Sequence, residues 1–329
     1  MAINWQGKRV LVTGAGGFIG SHLAERLVEC GATTRAFVHY RSDGSRGWLE
    51  PLALSGSVEI VNGDLCDRDV VRQAMDGIDM VFHLAALIAI PYSYQAPLSY
   101  VRANVEGTLT ILQAAREARV GRVIHTSTSE VYGTAQRVPM DEQHPLSAQS
   151  PYAASKIGAD QLAQSFWRSF GLPVVTLRPF NAFGPRQSAR AVVPTIITQC
   201  LAGRTVTLGN LTSRRDLNYV SNIVDAFVLA AEKDAAVGRV IHLGSGREIS
   251  IEALARLIAE LAGVSIDLAT QEARVRPKAS EVERLLADAS LARKLLGWSP
   301  AVSLEDGLRR TIEWIREHQD AYCAGAYAV

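Results

Sequence analysis

Tyr152 and Lys156 stand four residues apart in Tyr152-Ala153-Ala154-Ser155-Lys156, within a stretch from Pro151 to Phe170 that has helical periodicity. That spacing puts both side chains on one helix face. A phenol is protonated at neutral pH, but a neighbouring ammonium favours the phenolate and makes it a base able to take a hydroxyl proton. An isolated YxxxK is an ordinary pair of exposed residues. Here it follows the fifth of a series of strands, and that position gives it chemical meaning.

A second constellation lies near the amino terminus, where Thr13 to Gly20 reads TGAGGFIG between an apolar strand and a helix. Gly14 permits a tight turn, Gly17 lets the backbone approach a pyrophosphate, and Gly20 allows close packing. Phe18 and Ile19 open a helix whose N–H groups and dipole favour an anion. In this strand-turn-helix setting the pattern predicts a dinucleotide site. The second strand ends Ala36-Phe37-Val38-His39-Tyr40-Arg41-Ser42, with no carboxylate before Asp43 to take an adenosine ribose. Arg41 with Ser42, next to His39, suits the extra phosphate of NADP, so NADP is favoured over NAD. Asp64, with Leu65 beside it, follows the third strand and is either an acceptor for the adenine amino group or an exposed loop acid. Leu84, Ala85 and Ala86, after His83, either pass under the cofactor or serve packing.

These groups must be positioned by alternating elements. Strands are expected at Arg9 to Thr13, Thr34 to His39, Val58 to Asn62, Met80 to His83, Arg122 to Ser127 and Val174 to Arg178. Helices are expected between them at Phe18 to Cys30, Asp67 to Met75, Leu98 to Arg119 and Pro151 to Phe170. Repeated βα units predict an α/β fold, a Rossmann-type doubly wound parallel sheet over residues 1–180. Residues 181–329 form a smaller mixed α/β lobe, with some chain crossing between lobes. Its expected pieces are helices at Pro194 to Ala202, Ser221 to Glu232, Ile251 to Ala262 and Leu304 to Glu317, strands at Thr205 to Leu208 and Val240 to Leu243, and a loosely held final dozen residues.

With 34 Lys and Arg against 33 Asp and Glu, the chain has no global field to draw it to nucleic acid or an anionic membrane. Its partner is expected to be a small molecule. Cys30, Cys66, Cys200 and Cys323 are scattered without a CxxC pair, which argues against a disulfide framework and a structural zinc site and fits a reducing cytoplasm. No signal peptide or spanning segment is read, and no metal is expected. Arg178 to Pro185, RPFNAFGP, ends the sixth strand where ligands of open sheets gather. Arg186, Arg190, Arg214, Arg215 and Arg276 follow in segments expected to face one cleft, and arginines so concentrated suit a diphosphate. Arg215 and Arg276 are favoured for this role. Asp216 is expected to position Arg215.

Taken in order, TGAGGFIG, HLAA, STSEVYG, YAASK and RPFNAFGP resemble the extended short-chain dehydrogenase/reductase family, in its nucleotide-sugar epimerase and dehydratase branch. The resemblance covers essentially the whole chain, including Arg215-Asp216 and the closing LGW. It implies NAD(P) that is tightly bound and recycled, a nucleoside diphosphate sugar substrate, and a homodimer built from the helices carrying Asn104 and Tyr152. It also implies that Asn181 bonds a diphosphate or sugar hydroxyl and that Asn104 supports a proton relay with Lys156. Thr128 would lie beside the sugar 4-hydroxyl, and Glu130 would hold the place where 4,6-dehydratases handle the carbon 5 proton. Ser129 stands where some dehydratases have an Asp, which leaves open which group serves as acid; Glu130 doing both jobs is one option.

The wider pattern, including AFVHYRS, SRGWLE and RPKASEVERLLAD, is similar to the 4,6-dehydratases of legionaminic acid biosynthesis, which implies UDP-GlcNAc or GDP-GlcNAc as substrate. A 4-epimerase, a UDP-glucuronate-type decarboxylase and a non-catalytic dinucleotide-binding sensor or scaffold are the competing readings.

Overall fold

The computed structural model describes residues 4–271, 274 and 276–322. Cys323 and most of the expected tail lie outside the described residues.

Seven strands form one parallel sheet in the order β10-β6-β5-β4-β1-β2-β3. They are β1 (Arg9–Thr13), β2 (Thr33–His39), β3 (Val58–Gly63), β4 (Met80–His83), β5 (Arg122–Thr126), β6 (Val174–Pro179) and, much later in the chain, β10 (Val240–Leu243). Runs such as RVLVT and MVFH are apolar on both faces because helices cover both sides of the sheet. Strand order reverses beside β1, and the crevice opens there at the carboxyl ends.

The helices are α1 (Phe18–Glu29), α2 (Glu50–Leu54), α3 (Arg68–Ala74), α4 (Ile90–Gln95), α5 (Pro97–Tyr100), α6 (Gly107–Glu117), α7 (Pro151–Phe170), α8 (Val192–Ala202), α9 (Val220–Glu232), α10 (Ile251–Ala262), α11 (Ser290–Leu296) and α12 (Leu304–Glu317). Sequence reading expected one helix over Leu98 to Arg119. The structure interrupts it with a π-helical stretch at Val101–Glu106, between α5 and α6. Such stretches accommodate an extra residue per turn. Asn104 lies in this one, with its amide bonded to the backbone of Leu87.

The second lobe holds β7 (Asn181–Phe183), β9 (Arg214–Tyr219) and β11 (Glu248–Ser250) in a small sheet ordered β11-β9-β7. β8 (Thr205–Leu208) pairs with β12 (Asp267–Thr270). Sequence reading found no strand at β7, β9, β11 or β12. β9 reads RRDLNY without apolar alternation, yet all of it after Arg214 is buried, because its polar side chains have partners inside. A single apolar core runs from one face of the large sheet through Ile223 and Phe227 of α9 to Ile196, Leu254, Ile258 and Ile312 of the second lobe. Trp298 donates to the carbonyl of Asn222, whose side-chain oxygen accepts from the backbone of Ala301 and Val302, so the LGW turn is pinned to α9. Among the described residues no helix is long and apolar enough to cross a membrane.

Candidate active site

A cleft of about 810 Å³ opens over the carboxyl ends of β1, β4, β5 and β6, with the second lobe as its far wall. At one end the glycine turn leads into α1. Gly14 has φ +69°, and a Cβ there would come within 2.8 Å of the backbone of Ala85. A Cβ on Gly20 would lie 2.2 Å from the Gly14 carbonyl. The turn and helix can therefore nest together only if both positions lack side chains. Gly17 is the N-cap, no side chain caps α1, and no acid stands in its first turn. The first N–H groups, including those of Phe18 and Ile19, are left for a ligand. Bare backbone, an uncapped helix end and an adjoining cavity fit a dinucleotide pyrophosphate.

The register of the large sheet lines up Thr13, His83 and His125 across adjacent strands. Thr13 Oγ1 accepts from the backbone N–H groups of Leu84 and Ala85, each at 3.2 Å. Its own hydrogen must therefore go to His83 Nδ1, 2.8 Å away. This fixes the neutral His83 tautomer from the network: Nε2–H donates to Thr108 Oγ1 at 3.0 Å, and Thr108 donates to the Asn104 carbonyl at 2.6 Å. Burial pushes His83 well below the ordinary imidazole range, consistent with that form. The Leu84-Ala85-Ala86 segment is thus held from beneath while lining the cleft.

β5 delivers Thr126 to Glu130 to the centre of the cleft. Thr128 caps a 3-10 turn over Ser129–Tyr132, its hydroxyl accepting from the Glu130 N–H at 3.2 Å. Ser129 and Glu130 are buried. On the facing helix, Ser150 caps α7 by accepting from Ala153 N–H, and Pro151 occupies its first turn. Tyr152 and Lys156 are then both buried and both line the cleft. Lys156 Nζ donates to the Thr126 carbonyl at 2.7 Å.

Burial pushes the Tyr152 phenol above the ordinary range, a hydrogen bond with Thr128 opposes this, and the Glu130 and Asp160 carboxylates add to the upward shift. Desolvation exceeds any help from the Lys156 ammonium, which is itself pushed down to about 8 by burial, with Asp160 acting the other way.

The adenosine end departs from expectation in its details. His39 and Arg41 line the cleft, but Arg41 pairs with Asp43 at 2.9 Å, and Asp43 also accepts from Ser45 N–H. Ser42 is exposed and does not line it. Asp64 Oδ1 accepts from Cys66 N–H within its own turn and Leu65 packs in the core beside Gly107; neither is among the residues that line the cleft. Segment Ser45 to Gly47 does line it, close over the glycine turn, with Trp48 N–H donating to the Gly16 carbonyl at 3.1 Å. Asn104 is buried behind the wall. Its amide bonds Leu87 N–H and C=O and donates to Ser155 Oγ, tying the cleft rim to α7.

On the second-lobe side Asn181, Arg190, Arg215 and Arg276 line the cleft. Asn181 Oδ1 is buried without a hydrogen-bond partner. Arg215 is held by Glu281 at 3.5 Å and by the Arg214 carbonyl at 3.0 Å. Arg276 Nη1 lies 3.9 Å from Glu130 Oε2 and makes no hydrogen bond. Arg186 is a correction: it is turned away from the cleft, pairs with Glu25 of α1 at 2.7 Å and packs over Trp314 of α12, with φ +67°. It braces the two lobes. Asp216 is another, since its carboxylate accepts from Ser245, Gly246 and Ala287 rather than from Arg215. Sequence reasoning missed Glu281, for which nothing in KASEVE signalled a cleft residue. It also missed Asp160, for which the four-residue spacing after Tyr152 and Lys156 was a usable signal.

Comparison with known proteins places this geometry in a family. Residues 11–311 match the family model described as GDP-mannose 4,6 dehydratase. A dTDP-glucose 4,6-dehydratase of Streptomyces niveus is 34% identical over 324 residues, covering 94% of each chain. The crystal structure of DesIV, a dTDP-glucose 4,6-dehydratase from Streptomyces venezuelae with NAD bound, superposes with TM-score 0.87 at 31% identity, covering 95% of this chain and 98% of that one. TunA, an NAD-dependent NDP-hexosamine 5,6-dehydratase of tunicamycin biosynthesis, is similar at 29% identity and TM-score 0.84, covering 94% and 98%. The chain is an enzyme of the GDP-mannose 4,6-dehydratase family, among the extended short-chain dehydrogenases and epimerases that work on nucleotide sugars.

Proposed function

We propose that the protein is a 4,6-dehydratase of a nucleoside diphosphate N-acetylhexosamine, UDP-GlcNAc or GDP-GlcNAc, giving the 4-keto-6-deoxy sugar. The observation that carries this reading is Glu130, a buried carboxylate lining the same cleft as Thr128 and Tyr152. A simple 4-epimerase needs no acid or base there.

Residues of the glycine turn, His39, Arg41 and Ala85 would hold the dinucleotide, whose nicotinamide supplies a reversible hydride acceptor and, when oxidised, a positive charge. Tyr152 takes the proton of the sugar 4-hydroxyl, with Thr128 hydrogen-bonded to the phenol and Lys156 holding charge behind it. A ketone at carbon 4 acidifies the proton on carbon 5. Glu130 removes that proton and passes it to the carbon 6 hydroxyl, which leaves as water; the proton that Tyr152 took from the 4-hydroxyl replaces the one lost from carbon 5, and the bound nicotinamide would supply the hydride for carbon 6. Because redox balances within one turnover, retention of the cofactor favours completion. Arg215, Arg276, Arg190 and the unpartnered oxygen of Asn181 supply groups for a diphosphate and sugar hydroxyls.

NADP is the proposed cofactor. Asp43 is already engaged by Arg41 and Ser45, and Arg41 and Arg46 both line the adenosine end. Denaturing the purified protein and weighing the released dinucleotide checks this, and release of NAD alone overturns it. A homodimer is also proposed, supported by Leu98 and Val101, exposed apolar side chains on the helical run that carries Asn104. Leu98→Asp with Val101→Asp should yield a monomer in light scattering.

The decisive experiment incubates the protein with UDP-GlcNAc and with GDP-GlcNAc and follows product mass and NMR. Loss of one water is expected. An epimer or carbon dioxide instead would sink the dehydratase reading, and bound nicotinamide with no turnover would favour a sensor or scaffold.

A further inference from the structure

The face of α7 that carries Tyr152 and Lys156 continues one turn further to Asp160, which is wholly buried. A buried carboxylate is costly unless paired and hydrogen-bonded, and this one is saturated. Oδ2 accepts from Ser127 Oγ and from Arg178 Nη2, each at 2.6 Å, and Oδ1 accepts from His125 Nε2 at 3.0 Å. Arg178 Nε also donates to Ser127 Oγ at 3.1 Å, closing a ring of three residues. Ser127 directly precedes Thr128 and Lys156 binds the carbonyl of Thr126, so the carboxylate clasps the segment that presents Glu130 to the helix that presents Tyr152.

We propose that Asp160 is a positioning residue for the oxidation step: it is the buried counter-anion that keeps Lys156 charged, and it locks the Thr126 to Glu130 segment against α7. This rests on the reading of Tyr152 and Lys156 as the oxidising pair. The charges facing Lys156 leave little else for that role. Arg178 on β6 is a second cation, while His125 on β5 and His83 on β4 are buried and held neutral. His125 Nδ1 has no partner, and Nε2–H already serves Asp160. Beyond Arg178 lie Tyr132 and His242, hydrogen-bonded to each other, with Glu142 further out. Glu130 lies on the cleft side, where Arg276 faces it. Asp160 is thus the anion embedded between two cations on the protein side of the site.

Asp160→Asn keeps the shape and removes the charge. The Asp160 carboxylate holds both Lys156 and Tyr152 at higher pKa, so its loss moves both titrations to lower pH. Single-turnover reduction of the bound nicotinamide, followed by absorbance with the nucleotide sugar that is turned over, should show both limbs of its pH profile displaced to lower pH by about one unit. A lower rate with unmoved limbs would make Asp160 purely structural and overturn the proposal. Where Asp160→Asn leaves Arg178 unpaired and the protein does not fold, Asp160→Asn with Arg178→Gln removes both buried charges. Lys156 feels Asp160 more than Arg178, so the same displacement, smaller, is expected, and none overturns the proposal. Ser127→Ala removes two hydrogen bonds, to Asp160 and from Arg178, and keeps the charge, and its limbs should stay in place. A displacement equal to that of Asp160→Asn would assign the effect to packing and overturn the proposal. Tyr152→Phe separates the two readings. Reduction that survives it overturns the oxidising pair and this inference together, whereas reduction lost in Tyr152→Phe with unmoved limbs in Asp160→Asn overturns the role of Asp160 alone.

Discussion

Glu130 and Tyr152 share a cleft, and the two halves of the reaction can be separated by substituting them one at a time. Tyr152→Phe removes the only phenol that lines the cleft among the described residues, so appearance of reduced cofactor should fall by about 10²- to 10⁴-fold in single turnover. Glu130→Gln leaves Tyr152, Lys156 and the glycine turn intact. Reduced cofactor should build up and persist while no water is lost, and normal turnover of this variant would remove Glu130 from the mechanism. Gly20 tests the other end of the cleft. Alanine there must displace the Gly14 carbonyl, which would be only 2.2 Å from the new Cβ, so about 1–3 kcal/mol of stability and much of the cofactor affinity should be lost. Denaturant melts and dinucleotide content check this. At this scale sequence was a good guide where spacing implied a shared element, as in YAASK. It failed for single arginines, because Arg186 and Arg190 stand four apart in one loop and only tertiary packing sends the first to Glu25 and Trp314.

Elements were legible where one period dominated the local sequence. β1 through β6 with α1, α3 and α7 are apolar runs and amphipathic stretches with turn residues between them, and their burial follows that pattern. β9 was illegible because its inward side chains are Arg215, Asp216 and Asn218, stabilised by partners 25 or more residues distant. The π-helical stretch was illegible too, since its sequence, VRANVE, reads as ordinary helix. Its function in the architecture is carried by Asn104, which joins Leu87 before α4 to Ser155 on α7, while its carbonyl ends the chain of bonds from Thr13 and His83. Asn104→Leu should therefore act on more than one element. It strands the N–H and C=O of Leu87 at a cost of about 1–3 kcal/mol each. The urea midpoint should fall, and nicotinamide reduction should slow although Asn104 does not line the cleft. A variant with wild-type stability and rate would show that the rim at Leu87 is held by other contacts.

Across the whole molecule, buried titratable groups make stability depend on pH even though net charge is near zero. His83, His125 and His242 are buried, and desolvation holds each below the ordinary imidazole value of 6.5, His242 at about 3. The network fixes His242 as neutral: Arg178 donates to Tyr132 Oη, so Tyr132 donates to Nε2, and Nδ1–H donates to the Met140 carbonyl. Between the folded and unfolded pKa values the unfolded chain binds more protons, so stability rises with pH in that window. The contribution of these histidines is complete above 6.5 and is lost progressively as pH falls, for His242 down to about 3. Asp160, held far below the usual carboxylate range by His125, Arg178 and Lys156 against its own burial, adds stability that is lost progressively as pH falls below the ordinary carboxylate range. Glu142 and Asp216 are pushed up by burial and act in the opposite sense, flattening the slope in acid. Lowering pH from about 7 to about 5 should cost about 2 kcal/mol through His242 alone, with His83 and His125 adding to it. Thermal melts across that range should show Tm declining, with proton uptake on unfolding measured by calorimetry in buffers of different ionisation enthalpy. His242→Gln should reduce the slope by one proton's worth, and a Tm independent of pH would mean that these imidazoles are not buried neutral in the native state.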